Sequence, residues 1–343
     1  MSTPLTLVTV RASLAAATAL SVFGPVPAAL AAASPQPSYV ALGDSYSADV
    51  FVRPWDAGDG CGRSDRSYPQ QVAAALDLDF TDVTCGAAEV QDGILGPQPS
   101  QKLFGPPSVA PGGGWPQKPP QIESLTPDTD YVSVGIGGNT LGFGEIVTQC
   151  LTRGRDTLGF GTPCKKYYTE GDGRAWLAGK FDQLDREYSQ MMTAIRDRAP
   201  QAQVIVVGYP AIVPHSSGCS WGTFTQLGTV AKGDMPWLDS VERELNDLLS
   251  RQAAEHGATY VDTYGSSVNH GVCEPAAEKW MYGVRDDLTG TGDQTDSPSE
   301  LCRQIPGNGE ACTFVHPNAS GADNQAVQVR SAFERLRVKS ALR

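Results

Sequence analysis

Five short apolar runs punctuate the chain, at residues 39–42, 80–84, 131–136, 203–207 and 259–261. Brief runs of this kind, bounded by polar and turn-forming residues, read as buried strands. Between them the hydrophobic spacing changes to a helical period. Over residues 174–198 the apolar positions are Leu177, Phe181, Leu184, Tyr188, Met191 and Ile195, at alternating gaps of four and three. Helices are predicted there, over 68–76, from 141 to 150, over 237–255 and over 319–336. Strands alternating with helices predict an α/β fold, with a parallel sheet of about five strands and helices on both faces. No internal repeat or linker divides the pattern, so residues 34–343 are expected to form one domain.

Two stretches carry neither period. Residues 96–120 hold eight prolines and five glycines, which predicts a surface loop. Residues 282–312 are polar, acidic and turn-rich, and end just before His316. Long loops in a compact domain tend to be functional, and the position of the second makes it the more interesting.

The first 33 residues read differently again. Arg11 is their only charge, an Ala/Leu/Val-rich run follows, and AALAAAS offers small residues for cleavage near Ala33. This segment is expected to be a signal peptide, and the mature protein to be secreted and soluble. The formal net charge is −12, which argues against nucleic acid and anionic membrane surfaces as partners. Eight cysteines in an exported chain imply disulfides rather than a zinc or redox site. Pairing nearest neighbours gives Cys61–Cys85, Cys150–Cys164, Cys219–Cys273 and Cys302–Cys312, though eight cysteines allow about 105 pairings. There is no Cys-x-x-Cys and no His pair at ligand spacing, so no metal site is expected, and the candidate chemistry below needs no organic cofactor.

Candidate chemistry gathers at the carboxyl ends of the predicted strands, where open α/β sheets bind their ligands. The first strand runs into Gly43-Asp44-Ser45, putting the Ser45 hydroxyl on a tight turn. Of the four histidines, His316 sits just ahead of the last helix with Pro317 behind it, and is the preferred base. His215 follows the fourth strand and stays a rival. His256, between a helix and a strand, reads as structural, and His270, beside Cys273, as a wall residue. Donors for an oxyanion are the Ser45 N–H, the Gly86 N–H after the second strand and the Asn139 amide after the third. A competing Gly218-Cys-Ser-Trp-Gly222 matches the G-x-S-x-G elbow. That motif needs a strand running straight into the serine, and the fourth strand ends well before Ser220. Leu141, Phe143 and Ile146 are candidates for lining an acyl site or for core.

With these residues in hand, the chain resembles the SGNH (GDSL-type) hydrolases, in particular the secreted actinomycete esterases and lipases. GDSYS at 43–47, CGAA at 85–88, GIGGNT at 135–140 and VHPN at 315–318 resemble the family's four blocks in order. The resemblance implies a flavodoxin-like three-layer α/β/α sandwich. It also implies Ser45 as nucleophile, His316 as base, an oxyanion hole of Ser45, Gly86 and Asn139, and the first three cysteine pairs above. Most of the family has Asp three residues before the histidine. Here that position is Thr313, whose main-chain carbonyl is the candidate orienter in a Ser–His dyad. The reading is a monomeric, secreted serine ester hydrolase acting on small-molecule or lipid acyl esters. A carbohydrate-ester deacetylase, a phospholipase and a non-catalytic binding module are the alternatives.

Overall fold

A computed structural model of the chain describes residues 36–54, 60–99, 115–213, 219–284, 303–305, 309–311 and 315–341. Strands β1 (Ser38–Gly43), β2 (Asp79–Asp82), β3 (Tyr131–Gly135), β4 (Gln203–Val207) and β5 (Thr259–Val261) form one sheet. Their order is β2-β1-β3-β4-β5, and every neighbouring pair is parallel. The order reverses between β1 and β3, the crevice where flavodoxin-type sheets place their ligands.

Both faces of this sheet are covered, which is why its strands read as continuous apolar runs rather than alternating ones. Val40, Leu42, Val132, Val134, Val204 and Val206 point to one side. There they meet Leu184, Tyr188 and Ile195 of α6 (Gly173–Arg198) and Leu245 and Leu249 of α7 (Met235–Glu255). The intervening Tyr39, Ala41, Tyr131, Ile205 and Val207 point to the other, against Tyr68 and Val72 of α2 (Tyr68–Leu76) and Val329 and Phe333 of α9 (Ala319–Ala341). The three layers are those the alternation of elements predicted.

Some details depart from the prediction. The helix expected from 141 to 150 is two helices, α3 (Gly138–Leu141) and α4 (Phe143–Asp156), broken at Gly142 with φ of 78°. Only a residue tolerant of the left-handed region makes that corner without strain. Two short helices, α5 (Pro163–Glu170) and α8 (Thr263–Ser267), lack a long enough repeat to register in the pattern. Within the acidic stretch Arg303–Ile305 and Gly309–Ala311 pair as an antiparallel hairpin, β6 and β7. Disulfides join Cys61–Cys85, Cys150–Cys164 and Cys219–Cys273, as nearest-neighbour pairing has it. Cys302, Cys312, the N-terminal segment and most of the Pro/Gly-rich loop lie outside the described residues. No described helix is long and apolar enough to cross a membrane.

Gly43, the last residue of β1, leaves no room for a side chain. A Cβ there would collide with the Ser47 hydroxyl and lie 2.7 Å from the Gly135 carbonyl. Gly43→Ala is therefore expected to lose about 1–3 kcal/mol of stability, read by urea denaturation. A loss under about 0.5 kcal/mol, the usual scatter of surface changes, would mean the turn has slack that these contacts exclude.

Candidate active site

The turn that presents Ser45 is held from several directions. Gly43 donates its N–H to Gln121 Oε1 at 2.8 Å, and Gln121 Nε2 donates back to the Gly43 carbonyl at 2.9 Å. One buried amide side chain thus completes both backbone groups at the strand's end. Asp44 N–H donates to the Gly135 carbonyl at 3.0 Å, fastening the turn to β3. The chain then enters α1 (Ser45–Ala48), with Asp44 as its cap: Oδ1 accepts the Tyr46 N–H at 2.9 Å. Ser45 is the first residue of this helix and is buried to 7% exposure. Its own N–H has no acceptor among the described residues.

His316 arrives from the far end of the sequence. Residues 280–283 run antiparallel to 315–318, with Tyr282 N–H donating to the His316 carbonyl at 2.8 Å and Asn318 N–H to the Trp280 carbonyl at 2.9 Å. Asn318 Oδ1 accepts the Gly321 N–H at 3.1 Å and caps α9, whose packing fixes the segment against the sheet. The imidazole lies between Tyr46 and Phe51, at ring distances of 4.8 and 5.0 Å. Tyr46 Oη donates to the Val315 carbonyl at 2.5 Å, tying the helix of Ser45 to the loop of His316. His316 Nε2 is 2.8 Å from Ser45 Oγ.

Asn139, on α3, uses one N–H of its amide to donate to the Ala88 carbonyl at 2.9 Å. An amide has two such donors, so the bond also holds the second in orientation. Gly86 is placed otherwise than expected. Its N–H donates to the Cys61 carbonyl at 2.9 Å, and its carbonyl accepts from Gln98 Nε2 at 2.7 Å. Both backbone groups of Gly86 are committed within the protein, and the Cys61–Cys85 bridge next to it keeps the two segments together. Tyr209 links the other two blocks: its hydroxyl accepts the Gly138 N–H at 2.8 Å and donates to Asp44 Oδ2 at 2.5 Å.

A cavity of about 70 Å³ opens over this constellation, with Ser45, Asn139 and His316 on its polar side and Phe143, Ile212, Leu245 and Val315 on its apolar side. A nucleophile, a base in contact with it and a poised amide beside an apolar hollow suit acyl transfer. The family model for GDSL-like lipases and acylhydrolases matches residues 41–323. The chain belongs to that family. As a GDSL-like acylhydrolase it is a carboxylic ester hydrolase of the lipase and esterase kind. Lipase 2 of Streptomyces coelicolor is 37% identical over 256 residues, spanning 74% of this chain and 79% of its own. An esterase of Streptomyces scabiei is 30% identical, spanning 95% and 94%. Among solved structures, the extracellular lipase of Streptomyces rimosus superposes with a TM-score of 0.57 at 24% identity, covering 86% of this chain and 99% of its own, which shows a shared fold.

Ser220, His256 and His270 stand outside the lining of this cavity. Ser220 is exposed, and its hydroxyl engages Thr223 and the Gly222 N–H, with no strand among the described residues between Val207 and it. His256 caps the end of α7 and meets Ser189 at 3.2 Å, as its structural reading had it. His270 binds the Glu278 carbonyl and stacks on Trp280. His215 and Thr313 lie outside the described residues. Phe143 lines the cavity, whereas Leu141 and Ile146 belong to the core.

Residues that sequence reasoning passed over are mostly buried polar ones: Gln98, Gln121, Tyr209 and Glu242. Asp44 shows the electrostatic cost of such burial. Removal from water lifts its carboxyl from an ordinary 3.8 to about 7, against the opposing pull of the Tyr209 hydroxyl and the Tyr46 N–H. Burial lifts Glu242 in the same sense. The folded protein therefore keeps protons that the unfolded chain sheds, so stability is greatest below about pH 4 for these groups and falls as pH rises towards 7. Asp44→Asn is expected to flatten that fall by up to about 1.4 kcal/mol per pH unit, measured as urea midpoints from pH 4 to 8. A slope equal to the wild type's would mean that Asp44 is ionised throughout.

Proposed function

We propose that Ser45 and His316 form the catalytic dyad of this hydrolase. Its observation is the 2.8 Å contact between Ser45 Oγ and His316 Nε2 in a crevice at the strand ends. Ser45 Oγ attacks the ester carbonyl while His316 Nε2 takes its proton. The oxyanion of the tetrahedral intermediate rests against the Ser45 N–H and the remaining N–H of Asn139. Collapse of the intermediate expels the alcohol, which leaves with the proton from His316. Water, deprotonated by His316, then attacks the acyl-enzyme, and the carboxylic acid departs as Ser45 recovers its hydrogen.

In this reading Gly86 is a brace rather than a first donor: its N–H is spent on Cys61, and it holds the loop that Asn139 grips through Ala88. The Thr313 carbonyl is the partner proposed for His316 Nδ1. Such a carbonyl fixes the ring's tautomer but stabilises an imidazolium less than a carboxylate would. The apolar wall of Phe143, Ile212, Leu245 and Val315 favours acyl esters as substrates. The leader-like segment at 1–33 and the three disulfides support export, and the enzyme is taken to act outside the cell as a monomer.

The test is covalent labelling. A fluorophosphonate probe, with the modified peptide identified by mass spectrometry, is expected to mark Ser45 alone. No label on Ser45, or label on Ser220, sinks the assignment.

A further inference from the structure

Helix α7 buries Leu238, Leu245 and Leu249 at helical spacing, and the fourth position of that stripe is Glu242. A carboxyl thus stands where the period calls for leucine. It is 2% exposed. Oε2 accepts the Ile212 N–H at 3.2 Å, while Oε1 has no hydrogen-bond partner among the described residues and is buried. Burial holds the group towards its neutral form, and a neutral carboxyl carries an O–H to give. Leaving a buried polar group unmade costs about 1–3 kcal/mol, an expense a fold keeps only where something offsets it.

The place of Glu242 suggests what does. It lines the same cavity as Ser45 and His316, on the otherwise apolar side with Phe143, Ile212 and Val315. Those three residues and Glu242 also line a smaller void of about 10 Å³ behind it, so the carboxyl sits on a shared, loosely packed wall. Hydrocarbon alone would leave Oε1 unpaired in the complex as well. We propose that Glu242 is a specificity-determining residue whose carboxyl, turning about its soft terminal torsion, hydrogen-bonds an oxygen, hydroxyl or carbonyl, on the part of the ester filling this cavity. The substrate class is then oxygen-substituted esters rather than plain aliphatic ones. This rests on the ester-hydrolase reading of Ser45 and His316 above.

The oxygen could come from either side of the ester, and paired substrates separate the two. On the acyl side, p-nitrophenyl ω-hydroxyhexanoate is compared with p-nitrophenyl hexanoate. On the alcohol side, monohexanoylglycerol is compared with propyl hexanoate. In at least one pair the wild type is expected to favour the oxygenated ester in kcat/KM by roughly tenfold or more. Glu242→Leu removes that preference and speeds the plain ester, while Glu242→Gln, which keeps a donor and an acceptor, retains most of it. A wild-type ratio near one in both pairs overturns the proposal, whether or not the leucine variant folds. So does a preference that Glu242→Leu leaves intact, which would place the oxygen's partner elsewhere. Ser45→Ala runs alongside: hydrolysis surviving in it would refute the dyad instead, and leave the Glu242 ratios to be read on whichever nucleophile remained.

Discussion

Replacing Ser45 with alanine is expected to lower kcat on a short-chain chromogenic ester by on the order of 10⁶-fold, with little change in KM. The reason is geometric. Ser45 Oγ is the hydroxyl in contact with His316 Nε2, and Ser220, the rival, engages only Thr223 and Gly222. Removing either member of a nucleophile–base pair disables the same step, so the effects of the two losses do not add. His316→Ala should therefore cost about as much as Ser45→Ala, and the double variant no more than either. Measured kcat for the three variants checks this directly. A double variant slower than each single one by the product of their losses would mean that the two residues act in separate steps. Residual hydrolysis lost only on Ser220→Ala would move the nucleophile altogether.

The second large effect falls on Asn139. Asn139→Ala is expected to lower kcat by about 10²–10³-fold while leaving KM near its wild-type value, the signature of a donor that matters only when the oxyanion forms. The magnitude follows from how few donors remain. Gly86 N–H is bonded to the Cys61 carbonyl, so in the mechanism proposed above the Ser45 N–H and the Asn139 amide bear the charge. With a third strong donor, one deletion would be partly compensated and the loss would fall below tenfold. That smaller result would say that the Gly86–Cys61 bond opens when substrate binds. Thermal melts of Asn139→Ala serve as the control, since the amide also holds the Ala88 carbonyl.

The layered fold and the two residues of the Ser45–His316 contact could be read from the chain because each leaves a local trace. Buried strands such as Gln203–Val207 are continuous apolar runs, and α6 repeats its apolar residues over 26 positions. Ser45 and His316 stand beside glycine and proline at points where an element starts or stops, so their neighbours betray them. What escaped was whatever depends on a partner distant in sequence. Gln121 sits in an unpatterned stretch, and nothing near it announces that it will clasp Gly43, 78 residues away. Tyr209 resembles any residue after a strand until its hydroxyl is found on Asp44, 165 residues back. The bond of Gly86 escaped for the same reason: its backbone freedom is local, but the acceptor its N–H meets on Cys61 is not. Glu242 is the instructive case, because the helical period of α7 marks its position as buried and only its chemistry breaks the pattern.

The proposed dyad joins residues 271 positions apart, and the later one is carried by a segment anchored through the last described helix. During synthesis Ser45 is made long before His316. A nascent, clipped or half-folded chain thus holds Ser45 with nothing to deprotonate it, and cannot acylate itself on the esters it meets. On the proposed dyad, ester hydrolysis by this protein is a certificate of assembly, issued only when both segments have been made and have met.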